Sequence, residues 1–199
     1  MDRIKDKYDP DKNANIPFAT RDDPDTSANI RFACRDEIFR DFKSAIRNPK
    51  SQIVLIGVGN EFRGDDAVGL LIARRLTEMN LPGVTVRELS GEGAALMEAW
   101  QGADAVFLFD AVFTGKKPAG TIYRMDAHAQ TIPADFFHYS THRFGAAEAV
   151  ELARTLDQLP PRLIIFGIEG KNFDYGAKLS PAVEKTLPDF VKQVMIEIT

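Results

Sequence analysis

The sequence predicts a three-layer α/β sandwich, in which a mostly parallel, five-stranded twisted sheet carries helices on both faces. Three observations predict it. Short apolar runs rich in β-branched residues recur along the chain, segments with helical periodicity separate them, and most of the runs are continuously apolar rather than alternating. Continuous apolar runs are typical of parallel strands that are buried on both faces of a sheet.

The predicted elements follow one another from residue 52 onwards. Strands are predicted over residues 53–56, 84–89, 105–109, 121–125 and 163–166, and helices over 67–79, 91–100, 144–159 and from 181 onwards. Asp65 and Ser180 are expected to cap the first and last of these helices, and Pro188 is expected to divide the last one. The loop over residues 115–120 is too short for a helical crossover. The fourth strand is therefore expected to form an antiparallel hairpin with the third.

The chain divides into two predicted regions, an N-terminal arm over residues 1–50 and a main domain over residues 51–199. The arm is polar at first, and residues 35–47 then show the pattern of an amphipathic helix. Residues 14–23 recur as residues 28–37 with seven of ten positions identical. This repeat fits either a small duplication in an unconstrained arm or a twice-repeated Ile-x-Phe motif that docks on a partner.

Composition excludes several classes of protein. The net charge of −4 gives no indication of nucleic-acid or anionic-membrane binding, and no apolar run approaches the length of a membrane span. The first 20 residues lack the apolar core of a signal peptide. Cys34 is the only cysteine, so an internal disulfide and a cysteine-based metal cage are both excluded. Together these features predict a cytoplasmic protein.

Acidic residues follow several of the predicted strands. Asp65 and Asp66 come after the first strand, Asp110 directly after the third, and Glu169 after the fifth. Because sites in open α/β sheets form at the carboxyl ends of the strands, these carboxylates are expected to lie near one another. Their mutual repulsion would push one or more of them toward neutrality, and a divalent cation such as zinc, nickel or manganese would relieve it. His142, in the loop before a predicted helix, could add an imidazole ligand.

Each of these residues also has a simpler explanation. Asp65 and Asp66 could serve only the start of a helix, where carboxylates are favourable. Asp110 is harder to dismiss, because a carboxylate directly after five apolar residues is unusual. His138 and His142 have the spacing of two ligands on one helix face, but the Tyr-Ser-Thr between them favours a loop, so this pairing is not adopted. Glu169 could cap the following loop.

Phosphate-binding motifs do not fit the same region. Gly57 and Gly59 resemble the start of a dinucleotide-binding fingerprint, but the next glycine, Gly64, comes five residues later rather than three. The two acids beside it would repel a pyrophosphate.

The ordered set of motifs resembles the hydrogenase maturation endopeptidase family, which processes the large subunit of nickel–iron hydrogenases. The resemblance covers about residues 52–196. It departs mildly at Phe62, where the family often has leucine or isoleucine. The matching segments, in chain order, are GVGN at 57–60, GDDAVG at 64–69, FDA at 109–111, STH at 140–142, GIEG at 167–170 and LSP at 179–181.

The resemblance implies an endopeptidase that removes a C-terminal extension from the hydrogenase large-subunit precursor after nickel insertion. By position, Asp66, Asp110 and His142 correspond to the family's metal-contacting residues, and they are the predicted catalytic and metal-binding residues. The resemblance also implies that nickel arrives with the substrate and is not held permanently. Asn60 and Glu169 are weaker candidates for orienting ligands or water. The expected partner is the precursor, with no nucleic acid or membrane, and the enzyme is expected to be a monomer.

Two other classes of function stay open at this point. The same doubly wound scaffold could carry a different hydrolase or a nucleotide-binding enzyme, because fold does not fix function. The chain could also be a non-catalytic chaperone that holds the tail of the precursor.

Overall fold

The computed structural model describes residues 52–133, 136–137 and 144–198. The predicted arm, its repeat and its amphipathic helix lie outside the described residues, as do Cys34, His138 and His142. Within the described residues, no helix combines the length and the apolar character needed to cross a membrane.

In the part of the chain that the structure describes, five strands form a single sheet, as the sequence predicts, in the order β2-β1-β3-β5-β4. The strands are β1 Ile53–Val58, β2 Val84–Leu89, β3 Ala105–Val112, β4 Ile122–Asp126 and β5 Arg162–Glu169. Strands β1, β2, β3 and β5 are parallel and β4 is antiparallel. Strand β3 extends three residues beyond its predicted end, so that Asp110 lies inside the strand and not after it.

The predicted neighbour of β4 is wrong, although its antiparallel direction is confirmed. Strand β4 pairs with β5 and not with β3, and Tyr123 faces Gly167 in this ladder. Strand β5 instead pairs with β3 along its whole length. The reason lies in the character of the strands, since seven of the eight residues of β5 are buried whereas β4 has a single buried residue. A strand of mixed polarity is suited to the edge of a sheet, and the apolar β5 to its interior.

The helices cover both faces of the sheet. A 3₁₀ turn at Gly64–Ala67 leads into α1 Val68–Glu78, and the other helices among residues 52–133, 136–137 and 144–198 are α2 Gly93–Trp100, α3 Ala146–Thr155 and α4 Pro181–Ile198. Helices α1 and α4 contact each other on one face, and α2 and α3 contact each other on the other. The three predicted layers are therefore confirmed.

The expectation that Pro188 divides the last helix is wrong, because α4 continues through it. Pro188 has no N–H and cannot bond the carbonyl of Glu184, but both residues are exposed, so water can bond that carbonyl instead. Leu187, Phe190 and Val194 are buried on either side of the proline and keep both halves of the helix on the sheet.

The two faces of the sheet bury separate apolar cores. The face under α1 and α4 contains an aromatic cluster, in which the Phe190 ring lies edge-on to Phe109 at 5.7 Å and to Phe166 at 5.4 Å. The buried cluster on the other face includes Val54, Ile56, Leu96, Trp100, Val106, Leu108, Val150 and Ile165. Burial on both faces explains why the parallel strands are continuously apolar in sequence.

Gly69 brings α1 into direct contact with the backbones of β1 and β3. A Cβ atom at this position would lie 2.2 Å from the Val58 carbonyl oxygen and 2.3 Å from the Phe109 carbonyl oxygen. Gly69→Ala is therefore expected to lower the free energy of unfolding by about 2 kcal/mol, measured by urea denaturation. Alanine is the better helix former by about 1 kcal/mol, so the clash must outweigh that gain.

Gly83→Ala is the matched control for this prediction. Gly83 has a φ of 73°, and a Cβ atom there would meet nothing within 4 Å. Its replacement should cost only about 1 kcal/mol of left-handed backbone strain. A Gly69→Ala variant as stable as the wild type would contradict the close contact.

Candidate functional site

A cleft of about 390 Å³ opens at the carboxyl edge of the sheet, beside the ends of β1 and β3. The connection from β1 leads to β2 on one side, whereas β3 lies on the other side. Such a change of direction is where open α/β sheets form their binding crevices. The residues lining the cleft are Val58, Gly59, Asn60, Glu61, Phe62, Asp66, Leu70, Arg74, Glu88, Leu89, Ser90, Gly91, Asp110, Ala111, Phe137 and Ala146.

The loop after β1 folds back on itself and brings Asp66 to the end of the strand. The Asn60 N–H donates to the Asp66 carbonyl at 3.3 Å, and the Asp66 N–H donates to the Arg63 carbonyl at 3.0 Å. Gly59 allows this approach, because its φ is 144° and a Cβ atom would lie 1.8 Å from the Asp66 carbonyl oxygen. The glycine–asparagine motif therefore positions a carboxylate and does not cradle a phosphate.

Asp110 reaches the same cleft from β3. Its side chain is 8% exposed, and its Oδ1 accepts a hydrogen bond from the Ala111 N–H at 2.8 Å. Burial raises the pKa of Asp110 well above its ordinary value, and the negative charge of Asp66 raises it further. The Ala111 N–H opposes these effects but does not outweigh them.

Asp66 is also driven toward its neutral form. Burial raises its pKa to about 6, against the opposing effects of the Arg63 charge and the Asn60 backbone N–H. The expected electrostatic conflict therefore occurs between these two carboxylates. A bound proton or a divalent cation would relieve it, and carboxylate oxygens are suitable donors for such a cation.

The raised pKa of Asp66 predicts how stability depends on pH. Its native state binds the proton more tightly than the unfolded state, where the ordinary value is 3.8. The contribution of Asp66 to stability is therefore greatest below pH 4 and is lost as pH rises through about 6. We expect Asp66→Asn to unfold with a flatter pH profile over this range, measured by urea denaturation of metal-free protein. Asp189→Asn, at an exposed position on α4, makes the same chemical change outside the cleft and is the matched control.

Asp65 has a different role from the predicted helix cap. It lies inside the 3₁₀ turn, whose N-cap is Arg63, and it is fully buried. Its Oδ2 accepts the N–H groups of Lys171 at 2.7 Å and Asn172 at 3.0 Å, and its Oδ1 accepts the N–H of Ser180 at 2.6 Å. The cap prediction is wrong because the carboxylate accepts hydrogen bonds from the backbone of a distant loop, and not from the first N–H groups of its own helix.

Ser180 directly precedes α4 as predicted, but its hydroxyl does not cap the helix. The Ser180 Oγ is buried and makes no hydrogen bond with any described residue. Its backbone carbonyl accepts the N–H of Glu184 at 3.0 Å, which begins the helical hydrogen-bonding pattern.

The Glu169 carboxylate is also bound within the protein, by two backbone N–H groups and two side-chain hydroxyls. Its Oε1 accepts the N–H groups of Thr114 at 2.8 Å and Gly115 at 2.9 Å, and its Oε2 accepts the hydroxyls of Thr114 at 2.7 Å and Tyr123 at 2.8 Å. Burial alone would raise the pKa of Glu169, but these hydrogen bonds hold it below the ordinary value. Glu169 anchors the loop after β3, so neither its predicted place in an acidic cluster nor its role in orienting ligands is supported.

The Asn60 side chain likewise bonds within its own loop, since its Oδ1 accepts the Phe62 N–H at 3.0 Å. Of the predicted site residues, the structure brings together Asp66 and Asp110. His142 lies outside the described residues. Within residues 52–133, 136–137 and 144–198, no group of three or more His, Cys, Asp or Glu side chains is arranged to hold a metal ion.

Comparison with known proteins identifies the family. The model of the hydrogenase maturation protease family, HycI, matches residues 70–197, which is well over half of the chain. The chain belongs to the hydrogenase maturation protease family. Membership makes it a hydrolase of peptide bonds, in agreement with the resemblance seen in the sequence. The matched region includes Asp110 and begins just after Asp66.

Two curated relatives illustrate how far this maturation protease has diverged. It is 27% identical over 152 residues to the hydrogenase expression/formation protein HupD of Rhodobacter capsulatus, covering 74% of this chain and 71% of the relative. It is 26% identical over 147 residues to the hydrogenase 2 maturation protease of Escherichia coli, covering 72% and 88%.

Solved structures share the fold of this maturation protease. The [NiFe] hydrogenase maturation protease HybD from Thermococcus kodakarensis aligns with a TM-score of 0.61 at 24% identity, covering 74% of this chain and 99% of that one. The hydrogenase maturating endopeptidase HybD from E. coli aligns with a TM-score of 0.59 at 22% identity, covering 74% and 91%. At such identities the likeness shows the fold alone.

The protease has a charged rim that sequence reasoning did not find. Arg74 donates from Nε to Glu88 Oε2 at 2.9 Å, and its Nη2 lies 3.4 Å from Glu61 Oε2. Arg74 therefore joins α1, β2 and the loop after β1 at the cleft. The sequence offered one signal for this placement of Arg74. Leu70 and Arg74 are four residues apart and so share a helix face.

Proposed function

We propose that this protease removes the C-terminal extension of a nickel–iron hydrogenase large-subunit precursor after nickel has been inserted. The observation that carries the proposal is the pair of aspartates in the cleft. Asp66 comes from the 3₁₀ turn after β1 and Asp110 from β3, and both line one cleft and have raised pKa values. This pair is suited to binding a cation, because carboxylate oxygens are good ligands for divalent metals.

In this proposal, nickel is part of the substrate. Asp66, Asp110 and His142 contact the nickel that the precursor carries and so position the adjacent peptide bond in the cleft. A divalent ion bound there can polarise the scissile carbonyl or lower the pKa of a bound water. The repulsion between the two carboxylates in the free enzyme favours this binding, because a cation removes the conflict that burial has created.

The proposed site would also make cleavage selective. A precursor without its metal would leave two desolvated carboxylates facing each other and would be held less well. A precursor with its metal would compensate both charges. Cleavage would then occur only after metal insertion, and the enzyme would act as a check on that step. A cytoplasmic location and a monomeric state stay predictions.

The test is to incubate the purified protease with a nickel-loaded large-subunit precursor and to measure the intact mass of the product. We expect the loss of one discrete C-terminal peptide. Binding without any mass loss would favour a chaperone over a protease. Calorimetry with nucleotides separates the remaining alternative, because a peptidase of this kind should show no tight nucleotide binding.

A further inference from the structure

Two exposed aromatic side chains stack on each other beside the cleft. The ring centroids of Phe62 and Tyr175 are 6.2 Å apart and the rings are inclined by 28°. Even with this contact, Phe62 is 56% exposed and Tyr175 is 81% exposed. Stacking therefore covers only part of each ring and leaves an apolar surface in contact with water, a feature that often marks a binding site.

This ring pair is continuous with the cleft that contains Asp66 and Asp110. Phe62 itself lines the cleft, and Tyr175 extends the apolar surface outward from it. Both aspartates lie in the same cleft, so a chain bound across the carboxylates would continue over the rings.

The backbone holds the ring pair in place. The Phe62 N–H donates to Asn60 Oδ1 at 3.0 Å, and the Phe62 carbonyl accepts the Gly176 N–H at 2.7 Å. The second bond ties the loop after β1 to the loop that carries Tyr175. Phe62 is therefore fixed on both sides while its ring stays exposed, and a surface fixed in this way loses little entropy when it binds.

Charges of both signs flank the rings. Glu61, which precedes Phe62, lies 3.4 Å from Arg74, which also pairs with Glu88 at 2.9 Å and so offsets only part of the negative charge. Arg63, which follows Phe62, donates from Nε to the Phe173 carbonyl at 3.2 Å and so places a positive charge in the loop that carries Tyr175. Asp174, which precedes Tyr175, adds a negative charge to the same loop, so neither sign of charge dominates. An aliphatic side chain needs no charged partner and would bury apolar surface against the rings.

We propose that the Phe62–Tyr175 ring pair is a substrate subsite, which binds an aliphatic side chain of the precursor's C-terminal segment next to the scissile bond. The subsite rests on the proposed function, since it assumes that the cleft binds that segment. It also explains why a bulky aromatic residue stands at position 62, since Phe62 supplies one face of the subsite and supports Tyr175.

Substitutions at position 62 test the subsite. We expect Phe62→Ala to raise the KM for nickel-loaded precursor about tenfold with kcat within about twofold, and Tyr175→Ala to have a similar but smaller effect. Phe62→Leu should recover most of the loss, because leucine still offers an apolar surface. An equal loss in Phe62→Leu and Phe62→Ala would overturn the aliphatic assignment in favour of a cation held on the ring face. Leu156→Ala, at a similarly exposed apolar residue directly after α3, is the matched control and should leave KM unchanged.

Binding of a synthetic peptide with the precursor's C-terminal sequence separates this inference from the proposed function. Its Kd, measured by fluorescence anisotropy with the full-length protein, requires no cleavage. We expect that replacing one aliphatic residue of the peptide by alanine raises the Kd for the wild-type protein about tenfold. The same replacement should raise the Kd for the Phe62→Ala variant less than twofold. If the precursor is cleaved but neither KM nor Kd responds to Phe62→Ala, the subsite is overturned and the proposed function stands. If the Kd responds but no cleavage occurs, the subsite stands and the proposed function fails.

Discussion

Asp110→Asn is expected to reduce processing of the nickel-loaded precursor by about 10³-fold while leaving the fold intact. The amide has the shape of the carboxylate but no charge, so it cannot compensate a cation in the cleft. The substitution also removes an ionisable group whose charged form is disfavoured by burial and by the negative charge of Asp66. We therefore expect a thermal midpoint equal to or higher than that of the wild type, so that activity and stability change in opposite directions.

The measurement is a time course of precursor cleavage by intact mass, together with thermal unfolding of both proteins. Asp104→Asn is the matched control, because Asp104 lies just before the other end of β3 and is exposed. It makes the same chemical change outside the cleft and should process the precursor at the wild-type rate. Full cleavage by Asp110→Asn would show that the Asp110 carboxylate is not needed for the reaction.

Asp65→Ala is expected to lower the free energy of unfolding by about 4 kcal/mol. The substitution removes the acceptor of three backbone N–H groups, those of Lys171, Asn172 and Ser180. Because Asp65 is fully buried, water cannot readily replace it, and a buried donor without an acceptor is costly. The loop over residues 171–180 would lose its attachment to the 3₁₀ turn. Urea denaturation at neutral pH measures the effect.

The adjacent aspartate provides the control. Asp66→Ala should change stability little, because its carboxylate has a raised pKa and stands in a cleft without the same set of N–H partners. It should nevertheless abolish processing. Asp65→Asn retains one acceptor oxygen and should lie between the wild type and Asp65→Ala in stability. If Asp65→Ala were as stable as Asp66→Ala, the buried carboxylate would not hold the loop.

Local patterns in the sequence predicted the architecture. Continuous apolar runs gave the strands of a buried parallel sheet, and helical periodicity between them gave the covering layers. Asp66 and Asp110 could be placed at one edge because parallel strands share their carboxyl ends. These inferences succeed because each depends on periods of a few residues or on a general rule of sheet topology.

The parts that sequence reasoning missed depend on contacts between distant residues. Nothing near Asp65 shows that its partners are backbone groups more than a hundred positions away. The place of β4 depends on competition with β5 for the position beside β3, which local propensity does not express. In the sequence, Phe62 was only a mild departure from the leucine or isoleucine that the family often has. Its place in an exposed ring pair is seen only in the structure, where Tyr175 stacks against it.

We propose that the two aspartates of the cleft bring about cleavage of a precursor only when that precursor carries nickel. The most direct test treats nickel-loaded and nickel-free forms of the same precursor with wild-type protease and compares their intact masses. We expect the nickel-loaded form alone to lose a discrete C-terminal peptide. Equal cleavage of the nickel-free form would contradict it.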